Sequence, residues 1–131
     1  INNNEVEIRG NDEWIEVNIK ASVLYPSGSA TLSEAAKTVL ATVSEILRDR
    51  PNPIHVEGYT DNVPIETRQF PSNWELSSAR AISVVQFLIN QGLSPNRLAA
   101  TGFGEFRPLD DRSDEIAKRR NRRIELKLTQ R

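Results

Sequence analysis

The sequence predicts a two-layer α/β sandwich, with two main helices on one face of a mixed sheet. Three observations carry that prediction. Two long stretches place apolar residues at helical spacing, and each opens on a capping signature and closes on a stop signal. Short alternating or apolar runs of strand length flank both. The resulting order, β(β)-α-β-α-β-β, interleaves the two periods as a layered α/β domain does. At 131 residues the chain fits one domain, residues 1–131, with little room for a second.

The elements follow in order. Glu5 to Ile8 and Trp14 to Ile19 alternate apolar and polar around Gly10-Asn11-Asp12, which reads as a strand pair or one interrupted strand. After the loop Tyr25-Pro26-Ser27-Gly28-Ser29, Thr31 and Glu34 have capping-box spacing. Behind them Leu32, Ala35, Ala36, Val39, Leu40, Val43, Ile46 and Leu47 form a helical stripe that ends near Arg50-Pro51. Ile54 to Tyr59 reads as a strand, and Thr60 to Pro71 as a polar loop. Ser72 and Glu75 cap a second helix running to about Gln91, with Gly92 as its stop and Ala81, Val84, Val85 and Leu88 as its buried stripe. Leu98 to Phe103 makes a third strand, and Ile124, Leu126 and Leu128 alternate in a fourth. Right-handed crossovers place both helices on the same side of the sheet.

Composition removes several classes of function. A net charge of −1 offers no overall field for nucleic acid or an anionic membrane, and the absence of cysteine rules out disulfides and thiolate metal sites. No apolar stretch approaches the roughly 20 residues of a membrane helix. The single histidine, His55, lies within a strand, and no G-x-S-x-G elbow accompanies it, so nucleophilic catalysis lacks its parts. Asp110-Asp111-Arg112-Ser113-Asp114-Glu115 lacks the mid-loop glycine of a calcium site and reads as a solvated loop. Gly102-Phe103-Gly104 lacks the third glycine and the helix of a dinucleotide fingerprint. Lys118 to Arg123 is a basic run without interleaved aromatics, read as the edge of the last strand and not as a nucleic-acid surface. Neither a cofactor nor a metal is expected.

One constellation remains. Asp61 follows the strand Ile54 to Tyr59 at its carboxyl end, where ligands of open α/β sheets tend to bind. Arg80 lies in the second turn of the next helix, one turn beyond Leu76 and Ser77, and Ser72 to Glu75 present the free N–H groups and positive dipole end of that helix. An anion, a cation and backbone donors together suit a zwitterion bearing both ammonium and carboxylate. The same residues equally suit an Asp61–Arg80 salt bridge holding loop to helix.

Gly58-Tyr59-Thr60-Asp61-Asn62, Leu76-Ser77-Ser78-Ala79-Arg80-Ala81, Gly102-Phe103-Gly104-Glu105 and Asn121-Arg122-Arg123-Ile124-Glu125 together resemble the signature of the OmpA-like peptidoglycan-binding domain. The likeness covers nearly the whole chain in order and spacing. Leu24-Tyr25-Pro26-Ser27-Gly28-Ser29-Ala30, Asp61 to Ile65 and Phe70-Pro71-Ser72-Asn73-Trp74 are most similar to the flagellar stator proteins MotB and MotD, with type VI secretion proteins of the TssL kind as the alternative. The resemblance implies non-catalytic binding of peptidoglycan, with Asp61 on the ammonium and Arg80 on the carboxylate of a diaminopimelate stem. Amides of the Tyr25 to Ser29 loop, Tyr25 and Ser27 among its residues, assist. Thr60, Asn73, Leu76 and Ser77 match groove positions, and Arg123, like Arg119 and Asn121, matches a partly structural motif. It further implies a homodimer, and a periplasmic domain anchored in the inner membrane by an N-terminal helix absent here, through which a MotA-like partner is met. The rivals from other classes are a wall hydrolase, which lacks catalytic groups, and an assembly domain without ligand binding.

Overall fold

The structure, a computed structural model, describes residues 6–11 and 13–129; Glu5 and Asp12 of the expected first strand and its turn lie outside them. The elements are β1 (Val6–Gly10), β2 (Ile15–Lys20), α1 (Ala21–Leu24), α2 (Glu34–Arg48), β3 (Ile54–Tyr59), α3 (Asn73–Asn90), β4 (Leu98–Gly102), α4 (Glu115–Asn121) and β5 (Arg123–Leu128). They build a mixed sheet of order β1-β2-β5-β3-β4, in which β3 and β4 run parallel and the other neighbours antiparallel. The opening alternation is therefore a strand pair. Its turn is held by the Asn11 carboxamide, which accepts from the N–H groups of Glu13 and Trp14 at 2.7 and 3.2 Å.

Period-two alternation sends Ile15, Val17 and Ile19 of β2, Ile54 and Val56 of β3, and Ile124, Leu126 and Leu128 of β5 to one face. There they meet Ala36, Leu40, Val43 and Leu47 of α2 and Ala81, Val84 and Leu88 of α3 in a single core. Both long helices thus cover the same face. The opposite face carries charge: Lys127 lies 2.8 Å from Glu57, and Arg123 2.6 Å from Glu125.

Two glycines set how closely α3 lies on the sheet. A Cβ on Gly58 of β3 would meet the carbonyl oxygen of Ser77, and one on Gly102 of β4 would meet the backbone nitrogen and hydroxyl of Ser78. No side chain larger than hydrogen fits at either point, so helix and strands approach at backbone contact.

Three local expectations need correction. The N-cap of α2 is Ser33, not Thr31: its Oγ accepts from the Ala36 N–H at 3.0 Å and donates to the Val23 carbonyl at 3.1 Å. That double attachment fixes the helix start two residues later than the Thr31–Glu34 spacing suggested. The short α1, which ties β2 to α2, was not expected. Finally, Asp110 to Arg123 is neither free loop nor plain strand edge. Asp114 caps α4 through the Ala117 N–H at 2.8 Å, and Asn121 closes the preceding loop by accepting from Leu109 and Asp110 at 2.8 and 3.0 Å.

Candidate functional site

Beyond the carboxyl end of β3 the chain leaves a cleft of about 620 Å³. Its floor is Thr60 and Asp61, one wall is Asn73, Leu76 and Arg80 of α3, and the opposite wall is Glu115 and Lys118 of α4 with Arg122. The α1 turn and the Tyr25 to Gly28 loop close a third side.

Each floor and wall residue is held by its own element. The Thr60 N–H donates to the Gly104 carbonyl at 2.9 Å, extending the β3–β4 pairing past the last strand residue. The Asn73 carboxamide, in the first turn of α3, donates to the Val63 carbonyl at 3.1 Å and the Asp61 carbonyl at 3.4 Å. It thereby fastens the loop carrying Asp61 to the helix carrying Arg80. Ser72 caps that helix through the Trp74 N–H, and its hydroxyl donates to the Glu75 carboxylate, which holds the Glu75 carboxyl below its usual range.

The charged groups have distinct environments. Arg80 is 5% exposed; its Nε donates to the Ser29 carbonyl at 2.8 Å, and its guanidinium lies 4.8 Å over the Tyr25 ring. Burial lowers its affinity for the proton, and the nearby Arg122 adds to that, while Tyr25 and Asp61 work against it. An arginine stays charged under such pressure. Among the described residues neither terminal nitrogen of Arg80 has a hydrogen-bond partner. Tyr25 is buried, and desolvation pushes its hydroxyl up to about 12; it donates to the Arg80 carbonyl at 2.7 Å. Asp61 is buried at the cleft floor, with Oδ1 accepting from the Val63 N–H at 3.1 Å and Oδ2 only 2.6 Å from the Arg122 guanidinium.

Of the nine residues expected at a site, Tyr25, Ser27, Thr60, Asp61, Asn73, Leu76 and Arg80 line this cleft. Ser77 and Arg123 do not. The Ser77 hydroxyl is wholly buried and accepts from the Gly104 N–H at 3.0 Å, joining α3 to the loop after β4. Arg123 lies on the sheet's charged face, its guanidinium 3.7 Å over the Tyr59 ring and paired with Glu125. Asp61 and Arg80 form no salt bridge with each other; Asp61 pairs with Arg122. Arg122, Lys118 and Glu115 are the charged cleft residues that sequence reasoning missed. The signal was present: Asp114 as cap, Glu115 in the first turn and Lys118 to Arg120 in the last is the charge order a helix dipole favours.

The model of the OmpA family matches residues 24–122, from the end of α1 through the arginine of the cleft. The chain belongs to the OmpA family. Among its relatives, Motility protein B of Bacillus subtilis is 32% identical over 93% of this chain and 48% of its own length. Protein YtxE of the same organism is 37% identical over 82% of this chain and 45% of its own. This OmpA-family chain therefore spans about half the length of these curated relatives. A MotB-like protein from Desulfovibrio vulgaris superposes with a TM-score of 0.89 at 32% identity, covering 98% of this chain and 83% of that one. The cell wall anchor of the type VI secretion system from Pseudomonas aeruginosa superposes at 0.90 and 29% identity, over 98% and 90%. The mixed sheet with its helices is thus the OmpA-family architecture.

Proposed function

We propose that this OmpA-family domain binds peptidoglycan without catalysis, holding the diaminopimelate of an uncrosslinked stem peptide, and so anchors a flagellar stator to the wall. The observation that carries the reading is the presence, in one cleft, of a buried carboxylate and a buried guanidinium whose terminal nitrogens have no hydrogen-bond partner among the described residues. The free end of a diaminopimelate side chain bears an ammonium and a carboxylate on one carbon. Its carboxylate suits the two-pronged donor geometry of Arg80. Its ammonium suits Asp61, since a carboxylate offers about four acceptor positions and Val63 and Arg122 occupy two of them. Amides of the Tyr25 to Gly28 loop, Thr60 and Asn73 then border the ligand.

Likeness to Motility protein B supports the stator reading, with a periplasmic position, an inner-membrane anchor, a dimeric state and a MotA-like partner as its further parts. Likeness to the type VI wall anchor supports a second reading, in which the same cleft serves a secretion machine. Both share the wall as ligand. The test is co-sedimentation with insoluble peptidoglycan. The domain should pellet with the wall and Asp61→Ala should remain in the supernatant. Wild-type protein left wholly in solution at low salt refutes anchoring, and release of soluble sugars or peptides refutes the non-catalytic reading.

A further inference from the structure

We infer that Arg122 is a specificity-determining residue of the cleft, which neutralises Asp61 in the free protein and is handed to a second carboxylate of the ligand on binding. The inference rests on the stem-peptide reading and adds to it the group next to the diaminopimelate.

Three observations carry it. The cleft is lined by three cations, Arg80, Lys118 and Arg122, against two carboxylates, Asp61 and Glu115. A ligand end carrying one positive and one negative charge leaves that excess in place, so the cleft suits a ligand with a further anion. Next, the two arginines are held differently. Arg80 is fixed by a backbone carbonyl and an aromatic ring, whereas the side-chain partners of Arg122 are the carboxylates of Asp61 at 2.6 Å and Glu115 at 3.4 Å, and its side chain is 33% exposed. Exchanging one carboxylate for another costs such a guanidinium little, because the bonds it loses and gains are alike. Finally, an ammonium arriving at Asp61 meets Arg122 as a like charge across one carboxylate. That repulsion drives the handover, and it vanishes if the ligand brings its own anion to the arginine.

The stem peptide contains such an anion. Its glutamate is joined through the side-chain carboxyl, so its α-carboxylate stays free one residue before the diaminopimelate. The path between the two anions runs through the glutamate side chain and the diaminopimelate side chain, about nine bonds or roughly 11 Å when extended, and its rotatable bonds let both anions enter one cleft of about 620 Å³.

The experiment is calorimetric titration of the whole domain with three synthetic stem peptides: one with the free glutamate α-carboxylate, one with that group amidated, and one with lysine in place of diaminopimelate. Wild type should prefer the free carboxylate by roughly fivefold, the scale of a partly exposed charge pair. Arg122→Gln should bind the first two peptides equally while still preferring diaminopimelate to lysine, the readout of Asp61 and Arg80. Arg122→Lys, which keeps charge and loses the fork, should restore part of the glutamate preference. Wild type indifferent to glutamate amidation, or Arg122→Gln retaining the preference, overturns the role of Arg122 and leaves the diaminopimelate reading standing. No binding of any peptide by folded wild type overturns both.

Discussion

Arg80 is the residue at which ligand binding and folding are hardest to separate. Replacing it by Gln removes a charged hydrogen bond to the Ser29 carbonyl and a cation–π contact with Tyr25. Those losses are on the order of 1.5–3 and 0.5–2 kcal/mol. Relief of a buried charge offsets part of them, because desolvation is the leading influence on Arg80. A net destabilisation of about 1–2 kcal/mol follows, which for a domain of this size lowers Tm by roughly 3–10 °C. Binding should suffer separately: if the two terminal nitrogens take the ligand carboxylate as proposed, losing them costs about 1.5–3 kcal/mol, or roughly 10- to 150-fold in Kd. The assay is differential scanning fluorimetry alongside titration of a diaminopimelate stem at 15 °C, where the variant is folded. A folded Arg80→Gln domain with unchanged Kd and a lowered Tm would mean that Arg80 merely clamps the 25–29 loop, and the ligand assignment would have to be abandoned.

Other expectations follow from the same contacts. Ser33→Ala should cost about 1 kcal/mol in urea unfolding and Thr31→Ala only a few tenths, because Ser33 caps α2; the reverse order would restore the Thr31 box. Gly102→Ala should cost roughly 1–3 kcal/mol by forcing α3 off β4, and an unchanged urea midpoint would disprove the close approach. Tyr25 is pushed up to about 12 in the fold from 10 when unfolded, so its contribution, on the order of 3 kcal/mol, is complete below pH 10 and lost as pH rises towards 12. Tyr25→Phe should flatten that alkaline fall in Tm; an identical slope would show that other groups cause it.

Periodicity made the core legible. The alternation of β2 and β5 and the Ser72 cap with the Gly92 stop lie where their spacing placed them, because burial of one face leaves a repeating mark. The α2 stripe holds at Ala36, Val39, Leu40, Val43 and Leu47, whereas Leu32 precedes the helix and Ala35 and Ile46 are exposed on its outer side. Asp61 and Arg80 were legible as cleft residues for a different reason: a strand's carboxyl end and the first turns of the next helix are neighbours by topology. Arg122 was not. It approaches Asp61 from 61 positions away through α4, a helix whose short length and charged surface leave only Ala117 and Asn121 buried. Two buried positions make too faint a stripe to compete with the reading of Lys118 to Arg123 as a basic run. Only the order of charges along α4 marked it, a weak signal beside hydrophobic spacing.

The strand order has a mechanical consequence. Val6 pairs with Ile19, and Lys20 with Arg123, so β1 begins at the same end of the sheet that holds the cleft. A tether pulling on the chain before Val6 and a ligand gripped at Asp61 would therefore load the sheet sideways from one end, across β2 and β5. Tension applied in that direction opens the ladder of β1 one rung at a time instead of shearing all its rungs together. Under such a load the five residues of β1 would act as a fuse. Their release would pay out slack of about 3.3 Å per residue before the load reached the pairing of β2, β5, β3 and β4 beside the cleft.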